Sequence, residues 1–341
     1  MSKNISKKNI KKIIIVNIFI FCFGLVLIEI FLRFFFPLNL IGYTSAYEYD
    51  AELGIIAKKN LMYTNLKDYR EEFHTNQIGT VNYSEDFSKY KKIIFTIGDS
   101  YTQGTGLPID SSYPAQLDLI LNVSNGRYNF EYAVVNLGLG GYGSIQEKIA
   151  LERYIKILKK PDYVFVLGCV NDAWDNYRYE SGLIFKNPLE GNPNYGSFSK
   201  LISWFAFQTE IGKNFFTALK NLKKNGVKSF RHDNNVVDSL YKNYHEIIEL
   251  SKKYNFKVIF SFASYPRIDD YNYKSLKKWA SINQVGFADW IPAVLSVKNS
   301  IPQIPIENDH SAGHFRSWVN HLIAESFAIE MKNFSEKKSL D

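Results

Sequence analysis

From Lys91 onward the chain alternates short apolar runs with longer runs of helical spacing: Ile93 to Ile97, Tyr113 to Leu121, Tyr132 to Val135, Ile145 to Leu158, Tyr163 to Leu167, Leu240 to Tyr254 and Lys257 to Ala263. The short runs are rich in Val, Ile and Phe and do not alternate with polar residues, the pattern of strands buried on both faces. Strands of that kind with helices between them predict a three-layer α/β/α domain around a central, mostly parallel sheet. The domain is expected over residues 91–334, with Phe315 to Met331 as its closing amphipathic helix. Residues 173–236 interrupt the rhythm with Asn, Tyr, Lys and Gly around Trp174, Tyr177, Phe185 and Trp204, and they read either as a cap over a site or as a surface excursion.

The first apolar run stops at Gly98-Asp99-Ser100, followed by Tyr101-Thr-Gln-Gly104. A strand that ends on a serine and then turns presents a hydroxyl at the carboxyl edge of the sheet, where α/β ligand sites collect. The tripeptide alone is only a turn. Three further blocks follow in order: Asn136-Leu-Gly138-Leu-Gly140-Gly141-Tyr-Gly143 after the second strand, Gly168-Cys-Val-Asn171-Asp172 after the third, and His314 just ahead of the last helix. Together they resemble the SGNH superfamily, the GDSL-type esterases and acyl hydrolases, over about residues 91–331.

The resemblance implies a flavodoxin-like fold and acyl transfer through serine. Ser100 would be the nucleophile and His314 the general base. The Ser100 backbone N–H, Gly141 N–H and the Asn171 side chain would form the oxyanion hole. A glycine suits close approach of backbone to substrate, and an amide donates without carrying charge. Relatives carry an aspartate three residues before the histidine, where this chain has Ser311. Asp309 is the nearest acid on that side and the expected third member, Glu307 stands three before the alternative base His310, and a Ser-His dyad also remains open.

Two other motif readings are weaker. Gly138-Leu-Gly140-Gly-Tyr-Gly143 matches the dinucleotide pattern, but Asp162 begins the next strand, whereas a ribose-binding acid should end it. His310 and His314 with Glu307 and Asp309 make a poor zinc set, because Gly313 disfavours a helix presenting both rings and spacing supplies no third histidine. No cofactor and no metal are therefore expected. The reaction is read as hydrolysis of an ester, such as removal of acetyl from a carbohydrate. The alternatives are an O-acyltransferase modifying an envelope or exported polysaccharide, and a binding or assembly protein with an idle site, which Ser311 and Val319 at family positions would suit.

Residues 1–12 carry Lys3, Lys7, Lys8, Lys11 and Lys12 with no acid, five of the chain's net +7 charges, so the remainder is near neutral and shows no nucleic-acid footprint. Residues 13–36 are almost continuously apolar and charged only at Glu29 and Arg33, late in the run. The pair reads as a single-pass anchor with a cytoplasmic N-terminus and the catalytic domain on the extracytoplasmic side. A cleaved signal peptide would need a small-residue site, and Phe-Leu-Arg-Phe-Phe-Phe-Pro37 has none. Residues 37–90 read as a connecting subdomain. Cys22 and Cys169 are too differently placed to pair. The expected partners are an acylated saccharide or other ester, the membrane through the N-terminal helix, and a membrane acyltransferase if the reaction is transfer.

Overall fold

The alternating pattern folds into five parallel strands: β1 (Lys92–Gly98), β2 (Tyr132–Asn136), β3 (Tyr163–Cys169), β4 (Lys257–Ala263) and β5 (Gly286–Phe287), in the spatial order β2-β1-β3-β4-β5. The structure is a computed structural model and describes residues 7–35, 46–65, 71–84, 86–186, 189, 192–193, 201, 205, 209–212, 214–215, 237–267, 269–308 and 313–337. The chain forms two compact units. One joins Met1–Ser45 with Pro193–Lys228, and the other joins Ala46–Asn192 with Ser229–Asp341.

The smaller unit contains α1 (Lys7–Phe35). Its stretch Lys11–Phe35 is long and apolar enough to cross a membrane, and its apolar side chains are exposed.

In the larger unit, α2 (Ser100–Gln103), α3 (Tyr113–Asn122), α4 (Ser144–Ile157), α5 (Asp172–Glu180), α6 (Tyr241–Tyr254), α7 (Tyr271–Ile282), α8 (Ile291–Ser300) and α9 (Ser317–Lys337) surround the sheet. Helices α3 and α9 cover one face, and α4, α6 and α7 cover the other. Period-2 alternation sets the two faces. Phe165 on β3 stacks on Phe327 of α9 with centroids 4.7 Å apart. Its register partner on β4 is Ile259, so the next residue, Phe260, turns to the opposite face and meets Tyr244 of α6 and Trp279 of α7. Every residue of β3 is buried, as a central strand between two helical layers requires.

The sequence pattern passes over residues 271–300, which supply α7, β5 and α8. Strand β5 is only two residues long, too short to leave a run, and α7 buries Tyr273, Leu276 and Trp279 among lysines.

Residues 46–90 belong to the larger unit, and Val81 and Asn82 among them close the open edge of the sheet. Val81 N–H donates to the Asn136 carbonyl at 2.9 Å, while Asn82 both donates to the Val134 carbonyl and accepts from Asn136 N–H, each at 2.9 Å. An exposed edge is a site for unwanted strand pairing, and this loop occupies it. Arg153 of α4 holds the same segment through a two-pronged contact with Asp50 at 2.8 and 2.9 Å. That pairing raises the Arg153 pKa and, against burial, holds the Asp50 carboxyl below its ordinary value.

Candidate active site

The chain crosses from β2 on one side of β1 to β3 on the other, so the carboxyl ends of these strands open a crevice at a topological switch point. All three loops singled out in the sequence leave the sheet there. Gly98 ends β1 because nothing larger fits: a Cβ would lie 2.1 Å from Thr102 Oγ1 and 2.8 Å from the Leu167 carbonyl. Asp99 then caps α2 by accepting from Tyr101 N–H at 2.9 Å, and the turn lifts Ser100 out of the strand.

The Ser100 hydroxyl lies between two acceptors. His314 Nε2 is 2.7 Å from Ser100 Oγ, and Asp99 Oδ2 is 3.0 Å from it. His314 sits on backbone paired with Glu307 and Asn308: Asn308 N–H donates to the His314 carbonyl at 2.8 Å, and Arg316 N–H to the Ile306 carbonyl at 2.8 Å. Tyr101 adds a clamp from α2, its ring 4.9 Å from the imidazole and its hydroxyl donating to the Gly313 carbonyl at 3.1 Å. Thus the helix that carries the serine also positions the histidine. Asp309 and His310 lie outside the described residues.

Gly141 has φ +85°, a backbone conformation that favours glycine. The preceding Gly140 packs beside the serine, with a Cβ there falling 3.6 Å from Ser100 Cβ. Gln103 Oε1 fixes this loop, accepting from Gly140 N–H at 2.6 Å and from Tyr47 hydroxyl at 3.2 Å. Asn171 reaches the same place from β3, but both of its amide protons are engaged: Nδ2 donates to Asp99 Oδ2 at 3.0 Å and to Asp175 Oδ2 at 2.9 Å. Donation to an oxyanion therefore requires one of these bonds to exchange.

Behind the serine lies a buried group that the sequence did not disclose: Cys169, Asp172, Asp175 and Glu147, with Asp99 at its front. Cys169 Sγ is within 3.2 Å of Asp99, Asn171 and Asp172 side-chain oxygens. Burial, with the Asp172 and Asp99 charges adding to it, pushes the thiol pKa well up, so Cys169 serves as a neutral donor. Burial, reinforced by Asp99, raises the Asp172 carboxyl well above the carboxylate range, and burial reinforced by Asp172 does the same to Glu147. Asp175 is also raised by burial, although Asn171 and Arg178 pull the other way. Both Glu147 oxygens and the Tyr244 hydroxyl lack a partner among the described residues. Asp99, Cys169 and Asp172 bring ligand atoms within 4.8 Å of one another. Their separations are those of hydrogen bonds and the thiol is held protonated, so the group as arranged shares protons.

A serine hydroxyl hydrogen-bonded to an imidazole, at the switch point of a doubly wound sheet, is an arrangement suited to nucleophilic attack on an ester. The GDSL-like lipase/acylhydrolase family matches residues 96–324, and the chain belongs to this family of ester-hydrolysing enzymes. No curated protein matches the sequence. Similar solved structures include a lipolytic G-D-S-L family protein from Veillonella parvula, 14% identical over 70% of this chain and 96% of that one, with a TM-score of 0.41. Another is the lipase Lip_vut3 from a goat rumen metagenome, 14% identical over 70% and 97% of the two chains, with a TM-score of 0.43.

Proposed function

We propose that the protein is an acyl-serine ester hydrolase acting outside the cytoplasmic membrane, with an acylated saccharide as substrate. The observation that carries the catalytic part is the 2.7 Å contact between His314 Nε2 and Ser100 Oγ. As Ser100 Oγ bonds to the ester carbonyl carbon, its proton passes to Nε2 and the carbonyl electron pair moves onto oxygen. Donors from Ser100 N–H, Gly141 N–H and Asn171 stabilise that oxyanion. Collapse breaks the bond to the alcohol, which leaves with the proton from His314. Water then repeats the sequence and frees the acid. Asp309 orients the imidazole in this scheme.

The saccharide part rests on Trp174 and Tyr177. They lie on α5, the helix that follows Asn171, stack on each other with centroids 5.3 Å apart, and are 38% and 52% exposed. Stacked, solvent-facing rings beside a site offer a flat apolar platform of the kind a sugar ring covers. The N-terminal lysines and the apolar α1 support an anchor with the catalytic unit translocated.

The test is labelling of the full-length protein with a serine-reactive fluorophosphonate, together with turnover of p-nitrophenyl acetate. Loss of both in Ser100→Ala, and loss of turnover by about four orders of magnitude in His314→Ala, is the expected result. A folded wild-type protein that neither labels nor turns over rejects the proposal.

A further inference from the structure

Within the smaller unit, Glu29 of α1 makes contacts that fix where a distant segment of the chain must lie. Its carboxylate accepts from Glu210 N–H at 2.9 Å and from Ile211 N–H at 3.0 Å, and from Arg33 Nε at 2.8 Å. The next amide, Gly212 N–H, donates to Thr209 Oγ1 at 3.0 Å. Three consecutive N–H groups at the start of this turn are thereby satisfied without water. That is the requirement for backbone held at membrane depth.

The depth follows from the helix rise. Glu29 stands 18 residues beyond Lys11, where the apolar stretch begins. At 1.5 Å per residue that is about 27 Å, against a hydrocarbon core of about 30 Å. With Lys11 at one face of the bilayer, Glu29 reaches the opposite boundary, and Arg33 lies one turn further out. A carboxylate at that depth needs partners, and residues 210–211 supply them.

We infer that the turn Thr209–Gly212 latched by Glu29, together with Leu201, Phe205 and Phe215, forms a membrane seat lying in the outer interface of the bilayer. Leu201, Phe205 and Phe215 are 59%, 39% and 54% exposed, as the apolar side chains of α1 also are. Leu25, Val26, Ile30, Phe205 and Ile211 line a cleft of about 270 Å³ between the two segments, and a lipid acyl chain is its occupant.

The inference rests on α1 being a membrane anchor, and the experiment separates the two. Full-length protein is reconstituted into phosphatidylcholine vesicles containing a phospholipid with a diazirine on its acyl chain, irradiated, and mapped by peptide mass spectrometry. Adducts are expected in both 11–35 and 201–215. Adducts in 11–35 alone overturn the membrane seat and leave the anchor standing, whereas adducts in neither reject both. Glu29→Leu, which keeps α1 apolar, should cut labelling of 201–215 about tenfold, as loss of two charge-assisted bonds implies, with 11–35 unchanged. Unchanged labelling of 201–215 in that variant overturns the latch. Fluorophosphonate labelling of Ser100 reports that the variant is folded, and Phe205→Asp with Phe215→Asp provides a second route that leaves Glu29 intact, with the same loss expected.

Discussion

The two sides of the Ser100 hydroxyl are built in opposite ways. On one side His314 is partly exposed, on backbone that leads to the last helix, and its Nε2 meets the hydroxyl at 2.7 Å. On the other side Asp99 is fully buried, and its Oδ2 also faces Cys169 and Asn171 while its Oδ1 holds the start of α2. Both acceptors lie within hydrogen-bond reach, yet only the first leads toward a leaving group. The difference teaches that proximity to the serine does not make a base. In the proposed reaction the Asp99 side orients the nucleophile and the loops around it, and the His314 side moves the proton.

The largest effect expected from this contrast is therefore between His314→Ala and Asp99→Asn. The first should lower kcat/KM by about four orders of magnitude, and the second by about one to two, because the asparagine Oδ1 can still accept from Tyr101 N–H. Steady-state kinetics on p-nitrophenyl acetate decides it. Equal losses in the two variants would erase the distinction between the two sides.

Asn171→Ala sharpens the same comparison from the oxyanion side. Removing one oxyanion donor costs about 10²- to 10³-fold in kcat with little change in KM. If Asn171 instead remains bound to Asp99 and Asp175 throughout turnover, the variant loses thermal stability and keeps most of its kcat. Paired measurements of kcat and melting temperature separate these outcomes.

The buried side should also respond to pH in a definite direction. Burial and the Asp172 charge raise the folded pKa of Glu147 above its unfolded value. Such a carboxyl adds stability below about pH 4, and that contribution is lost as the pH climbs from there through the raised folded pKa. Glu147→Gln does not titrate, so its stability relative to wild type should improve as pH rises, reaching about 1–3 kcal/mol at pH 8. Denaturant melts at pH 5 and pH 8 measure this, and an advantage that shrinks with pH contradicts the assignment.

What the sequence discloses and what it hides follow the same division. Ser100 and His314 are legible because each is tied to a local pattern, a strand end and a helix start, and the order of the blocks brings them together. The five parallel strands are legible apart from β5, whose two residues leave no run. Cys169, Asp175 and Glu147 are not legible as a group, because Glu147 on α4 reads as an ordinary charge on the polar face of a helix. Only the tertiary packing of α4 against α5 turns it inward. Glu29 is the same case in the smaller unit. Its partners lie 181 and 182 residues away, and an acid in an apolar run reads simply as an interruption.

The smallest expected effect concerns the solvent side alone. If Trp174 and Tyr177 form a sugar platform, Trp174→Ala removes one stacking surface worth about 0.5–1.5 kcal/mol. That corresponds to a rise in KM of about two- to twelvefold for an acetylated oligosaccharide. Hydrolysis of p-nitrophenyl acetate, which has no sugar ring to lay on that surface, should be unchanged, because Trp174 takes no part in the bonds to Ser100. Equal loss on both substrates would assign Trp174 to support of α5 and the Asn171 loop, and would leave the saccharide reading without its structural support. Loss on the oligosaccharide alone would place substrate recognition on the exposed face of α5, the helix whose buried Asp175 and capping Asn171 support the Asp99 side, so that one helix would serve both the solvent and the buried part of the contrast.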